Sequence, residues 1–215
     1  MTLYRKGSPK SEVVRQIQKA LKLYPDGIFG ILTEEAVKEF QENNGLKVDG
    51  IVGPATLAVL LKQSFSLRKS KRYINELIVH CSATPEGCDY TVEDIRKWHK
   101  SSGWSDIGYH YVVYRNGTVV NGRDVDLVGA HCAKGGHNQH SIGICYIGGV
   151  ENKPGIPVHL QKPKDTRTEA QKMALLSLLI DLKKLYPSAT IWGHHDFDKG
   201  KDCPSFDARA EYKNL

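Results

Sequence analysis

An eight-residue pattern occurs twice near the N-terminus and limits what that stretch can become. Asp26-Gly27-Ile28-Phe29-Gly30-Ile31-Leu32-Thr33 returns 23 positions later as Asp49-Gly50-Ile51-Val52-Gly53-Pro54-Ala55-Thr56. Asp-Gly followed by an apolar residue and a second Gly marks a tight turn, because glycine occupies backbone angles that a Cβ disfavours. Helix-spaced apolar residues follow each turn: Ala36, Val37 and Phe40 after the first, Leu57, Leu60 and Leu61 after the second. Thr33 is placed to cap the second helix, and Pro54 suits the first turn of the third. Ahead of the first turn, Val13, Ile17, Ala20 and Leu21 share one helical face. The prediction is a small three-helix bundle over residues 1–62, containing two similar loop-helix units.

Charge divides the chain further. The net charge of +6 is uneven. Residues 1–62 carry 9 Lys/Arg against 7 Asp/Glu, residues 63–72 carry 4 Lys/Arg and no acid, and residues 73–215 carry 17 of each. The excess therefore sits in Arg68-Lys69-Ser70-Lys71-Arg72, which predicts a solvated basic linker over 63–72, extended by self-repulsion. One short cluster beside a neutral domain does not support a nucleic-acid-binding protein, so no nucleic acid is expected as partner. No run of 18 apolar residues is present, so no transmembrane segment is expected. The first residues lack the apolar core of a secretory signal. Synthesis in the cytoplasm, with action elsewhere after release, is the expectation. The five cysteines are irregularly spaced and do not form a disulfide framework. Cys81 and Cys88 are a candidate pair only in an oxidising compartment, and Cys145 suits a core strand.

From residue 73 the pattern mixes strands and helices. Ile74–Cys81 and Ser141–Ile147 predict apolar strands, and Tyr109–Arg115 with Thr118–Val120 flank the hairpin signal Asn116-Gly117. Thr91–Lys100 predicts a helix capped by Thr91, with Asp94 in its first turn. Thr168–Leu185 predicts a long helix, Thr190–Trp192 a short strand, and residues 151–167 a loop. The fold class is α+β: the three-helix bundle, then a mixed β-sheet flanked by helices over residues 73–215.

Three side chains in this second part suggest chemistry. His80 ends an apolar strand, His194 follows a short strand and Gly193, and Cys203 lies in a loop closed by Pro204. Two imidazoles and a thiolate suit zinc better than magnesium or calcium. Three protein ligands leave a fourth position open, as in catalytic zinc sites. His195 and Asp202 are the adjacent competitors. An extended segment would turn His195 away, and Cys203 is the residue directly before the proline. His131 is a candidate for substrate contact. His99, His110, His137, His140 and His159 receive no role, and Trp98 and Trp104 are expected to pack.

Two resemblances give these residues a setting. The doubled Asp-Gly-Ile-x-Gly-x-x-Thr resembles the peptidoglycan-binding domain of cell-wall hydrolases, across residues 11–62. Val79-His80-Cys81-Ser82-Ala83-Thr84, Trp104-Ser105-Asp106-Ile107-Gly108-Tyr109-His110-Tyr111, Ser141-Ile142-Gly143-Ile144, Gly193-His194 and Lys201-x-Cys203-Pro204 resemble the type 2 N-acetylmuramoyl-L-alanine amidases. That resemblance spans roughly residues 74–212 and extends to animal peptidoglycan recognition proteins. It implies one zinc ion per chain on His80, His194 and Cys203, with Tyr109 and Lys201 at the catalytic tyrosine and lysine positions. Hydrolysis of the bond between muramic acid and L-alanine follows as the implied activity, with peptidoglycan as partner and a monomeric state. The two-part build suggests a phage or prophage endolysin. A bacterial autolysin, a secreted wall-degrading toxin and a non-catalytic recognition protein are the alternatives.

Overall fold

The repeat turns out to be held by a residue outside the repeated pattern. In the computed structural model, which describes residues 3–60 and 67–215, helices α1 (Glu12–Ala20), α2 (Ile31–Asn43) and α3 (Pro54–Leu60) carry the first part of the chain. Gln18 on α1 is buried, and its Nε2 donates to Asp26 Oδ1 (2.7 Å), the Ile28 carbonyl (3.0 Å) and Thr33 Oγ1 (3.2 Å). Gln41 on α2 repeats these bonds, to Asp49 Oδ1 (3.1 Å), the Ile51 carbonyl (3.0 Å) and Thr56 Oγ1 (3.1 Å). Each glutamine oxygen accepts from the glycine of its turn, Gly27 or Gly50. Both glycines have positive φ, 82° and 69°, the left-handed backbone that the Asp-Gly step predicts.

This arrangement corrects the capping expectation. Gly30 occupies the N-cap of α2 without a side-chain bond, and Thr33 lies one turn in, buried against Gln18. Val13, Val14, Ile17, Phe29, Val37, Val52 and Leu57 form the apolar interior. Ala20, expected on that face, is exposed. Leu61 and positions 63–66 of the predicted linker lie outside the described residues.

A second compact unit, built mainly from residues 67–215, is described separately. Its strands are β1 (Glu76–Cys81), β2 (Thr84–Pro85), β3 (Tyr111–Val113), β4 (Val119–Asn121), β5 (Ser141–Tyr146), β6 (Gly149–Val150) and β7 (Thr190–Gly193). Five form one sheet in the order β4-β3-β5-β1-β7, while β2 and β6 pair separately. β3 and β4 make the antiparallel hairpin around Asn116-Gly117, and all other neighbours in the main sheet are parallel. The helices are α4 (Val92–Ser101), α5 (Glu169–Leu185) and two single turns, α6 (His194–Phe197) and α7 (Ala208–Glu211). The α+β class holds, with a mixed sheet and accompanying helices.

Local chemistry accounts for the helix starts. Thr91 and Thr168 each accept from the backbone three residues on, and Asp94 and Gln171 return a bond to the cap, making two capping boxes. Gln171 is also buried, and its Nε2 donates to the carbonyls of Val113 (3.2 Å) and Ile147 (2.9 Å), bonding α5 to the sheet strands. Apolar positions on α5, including Leu175, Leu179 and Leu182, are fully buried.

In the described part of the basic segment Arg68, Lys69 and Lys71 are exposed, while Ser70 is buried and bonds tie the segment to the second unit. Arg68 pairs with Asp124 (2.5 Å) and Asp126 (2.8 Å). The Ser70 N–H donates to the Tyr186 hydroxyl, and Arg72 donates to the carbonyls of Val125 and Ser141. Self-repulsion is overcome because the acids that neutralise Arg68 lie more than fifty residues downstream, a pairing that local charge counting misses.

Candidate active site

Parallel pairing brings the candidate residues together. β1 and β7 run side by side with Val79 opposite Gly193, so His80 and His194 leave their strands at the same edge. Open α/β sheets place ligands beyond the carboxyl ends of their strands. His80 is 1 % exposed and stands opposite Cys145 on β5. His194 opens α6, and its ring centroid lies 4.7 Å from that of His80. Cys203 arrives from the following loop, its Sγ 3.7 Å from His80 Nδ1. One donor atom from each of His80, His194 and Cys203 lies within 4.8 Å of the other two.

The competing neighbours are arranged differently. His195 Nε2 is directed towards Asp196 Oδ1 (3.8 Å), and Asp202 is exposed. Neither belongs to the cluster of potential metal-binding donors among the described residues. His194 and His195 diverge because they begin a helical turn, not because the segment is extended.

Buried contacts surround the triad. His80 Nε2 lies 3.0 Å from His131 Nδ1, and His131 Nε2 lies 3.3 Å from Ser141 Oγ. Both ring nitrogens of His131, the candidate for substrate contact, therefore meet protein groups. Gly143 leaves room for that ring, since a Cβ there would fall inside its van der Waals surface. The Cys81 N–H donates to Cys203 Sγ at 3.2 Å, a bond that favours a thiolate. Cys81 and Cys88 are free thiols.

Electrostatics follow from burial. Removal from water, with His131 and His194 nearby, depresses the His80 imidazole well below its usual value and keeps it neutral. His194 is depressed by burial and then by the charge of Lys201, whose side chain is exposed. Contact with Cys81 and burial raise the Cys203 thiol. Burial, followed by the Cys145, Cys203 and Cys81 thiols, raises the Tyr109 phenol well above its usual value. The Tyr109 ring centroid is 5.2 Å from that of His80.

A cleft of about 570 Å³ opens beside these residues, lined by Trp104, Arg123, His131, Lys134 and His194 among others. Trp104 rests against the His99 ring and is 41 % exposed, so it presents an aromatic face as well as packing. Lys134 is among the wall residues, with Arg123, that sequence reasoning missed. It pairs with Asp198 at 2.9 Å, 64 positions away, and no local motif marks it.

The family comparison assigns a chain with this sheet to the cell-wall amidases, a class of hydrolases. The N-acetylmuramoyl-L-alanine amidase family profile matches residues 70–206, and the chain belongs to that family. A peptidoglycan binding domain profile matches residues 10–60. An endolysin of Klebsiella phage KP32 is 44% identical over 135 residues, covering 63% of this chain and 83% of the relative. An endolysin of Escherichia phage T7 is 40% identical over 141 residues, covering 66% and 87% respectively. Among solved structures, the amidase LysC of Clostridium intestinale shares the fold, with a TM-score of 0.52, 24% identity, and coverage of 68% of this chain and 89% of LysC. No helix among the described residues is long and apolar enough to cross a membrane.

Proposed function

We propose that the chain is a zinc-dependent endolysin that cleaves the amide between N-acetylmuramic acid and L-alanine, with His80, His194 and Cys203 holding the ion. The observation that carries this reading is the convergence of those three donors. Their chemistry fits: the 3.7 Å separation of His80 Nδ1 and Cys203 Sγ is close to the N···S edge of about 3.6 Å expected for tetrahedral zinc. Zinc bound there would supply Lewis acidity to the amide carbonyl and a nucleophile available near neutral pH.

The chain's own groups do the rest. His80, kept neutral, is ready to ligate without losing a proton. With Nδ1 engaged, its Nε2–H donates to His131 Nδ1 and fixes the ring, so His131 acts as a positioning residue. The Lys201 ammonium stabilises negative charge growing on the carbonyl oxygen. Tyr109, held protonated, orients water or the substrate carbonyl as a donor. The first unit holds the enzyme on peptidoglycan, a reading supported by its family match. The endolysin relatives support action on the wall after release; synthesis in the cytoplasm and a monomeric state are part of the proposal.

One experiment tests the assignment: metal content and release of L-alanine amino termini from sacculi, measured together. Chelation is expected to abolish release and added zinc to restore it. His80→Ala, His194→Ala and Cys203→Ser should lose activity together with the one metal equivalent bound at the triad, Asp202→Ala should keep both, and His131→Ala should weaken zinc retention there roughly 10–100-fold. A metal equivalent lost from Asp202→Ala, with the full wild-type metal content kept by Cys203→Ser, would refute the ligand set.

A further inference from the structure

A second group of metal-binding side chains lies apart from the triad. After two left-handed glycines, Gly135 (φ 70°) and Gly136 (φ 76°), the segment Lys134–His140 closes in a 3-10 turn. Side chains three positions apart eclipse in such a turn, so His137 and His140 project to the same side. Glu76, the first residue of β1, meets both. Its Oε2 lies 2.9 Å from His137 Nδ1 and 3.4 Å from His140 Nε2. One donor atom from each of the three lies within 4.8 Å of the others. The side chains are 13 %, 21 % and 33 % exposed for Glu76, His137 and His140, so none is freely solvated. The His137 ring is further held by Phe197, with centroids 3.7 Å apart and planes inclined at 31°.

We propose that Glu76, His137 and His140 bind a second divalent transition-metal ion, with zinc as the first candidate. The two N···O separations fit a shared coordination shell, whose ligand–ligand edges are about 3.0–3.4 Å for bonds near 2.1 Å. Two imidazoles and one carboxylate select zinc, nickel, cobalt or copper over magnesium and calcium. With a carboxylate in place of a softer thiolate, this centre binds zinc more weakly than one containing Cys203. Its effect falls on the cleft. Lys134 lines that cleft, and Asn138 Oδ1 accepts from the backbone N–H groups of His131 and Cys132. An ion on His137, His140 and Glu76 ties this loop to β1, fixing the cleft wall and the backbone that carries His131. The assignment rests on its own donors and does not require the zinc reading of the first centre.

Cobalt(II) titration of the metal-stripped, full-length protein separates the two centres. A site containing Cys203 gives thiolate-to-cobalt charge transfer in the near ultraviolet, whereas the second gives ligand-field bands without it. Wild type is expected to take up two equivalents. Glu76→Gln, which keeps a hydrogen-bonding side chain, and His137→Asn/His140→Asn are each expected to take up one and to retain charge transfer. Cys203→Ser should lose charge transfer yet retain the thiolate-free bands, and that result supports the proposal even if the first centre is otherwise constituted. Saturation of wild type at one equivalent with charge transfer, or two equivalents in both second-centre variants, overturns it.

Discussion

His110 shows how one buried side chain makes stability depend on pH. Its Nδ1 accepts from the Gly143 N–H at 2.9 Å, which puts the ring proton on Nε2, directed at the Leu127 carbonyl at 3.1 Å. Burial, the largest cause, holds the imidazole down at about 4, against about 6.5 in an unfolded chain. Between those values the unfolded state binds the extra proton, so stability is complete above about 6.5 and declines as pH falls towards 4. The loss attributable to His110 approaches on the order of 3 kcal/mol once both states are protonated. Urea denaturation from pH 7 to pH 4 should show His110→Asn reducing the pH slope by up to one proton; an unchanged slope would exclude this account. The sequence motif marked His110 as part of Ile107-Gly108-Tyr109-His110-Tyr111 but not its role. Its partners Gly143 and Leu127 come from distant segments, and only the folded chain supplies them. Grouping His80, His194 and Cys203 was possible in advance because the motifs that resemble the amidases single them out among nine histidines and five cysteines. Lys134 and Glu76 have no such signature.

The two loop-helix units depend on a glutamine that the repeated pattern does not contain. Gln18 and Gln41 are separated by the same 23 positions as Asp26 and Asp49, so the signal was present, but a glutamine on a helix ordinarily reads as a surface residue. Here it accepts from the glycine N–H of its turn and donates to an aspartate, a carbonyl and a threonine that also bond within the turn. Replacing Gln41 with leucine leaves the Gly50 N–H, the Ile51 carbonyl and Thr56 without these bonds, at a cost of about 2–5 kcal/mol. A domain of this size has little stability to lose. Circular dichroism melts should therefore show Gln41→Leu unfolding the helical unit at much lower temperature; a melt within a degree or two of wild type would contradict the assigned role. Tight turns, the Thr91 cap and the Asn116-Gly117 hairpin were legible because their signals are local, whereas Thr33 carried the same signal and lies one turn inside its helix. The β2–β6 pair was not, since two-residue strands carry no periodicity.

A division of labour between the two units predicts separable losses. Protein lacking residues 1–62 should still hydrolyse soluble muropeptides at near wild-type kcat, but should cosediment with sacculi far less. Equal sedimentation of the two forms would remove any wall-binding role from the helical unit. The second unit raises a different matter, because an interior strand of its sheet is made well before both of its neighbours. β1 is complete at Cys81, whereas β5 begins at Ser141 and β7 at Thr190. A ribosome adding about 5–20 residues per second finishes β7 roughly 5–20 s after β1. Until β5 is made, five consecutive residues destined for the interior, Leu77 to Cys81, have both hydrogen-bonding edges open, and the edge that β7 covers stays open to the end of the interval. Production of this protein in a cell is therefore a race between translation and self-association, and slower elongation across residues 82–189 should send more of it into inclusion bodies.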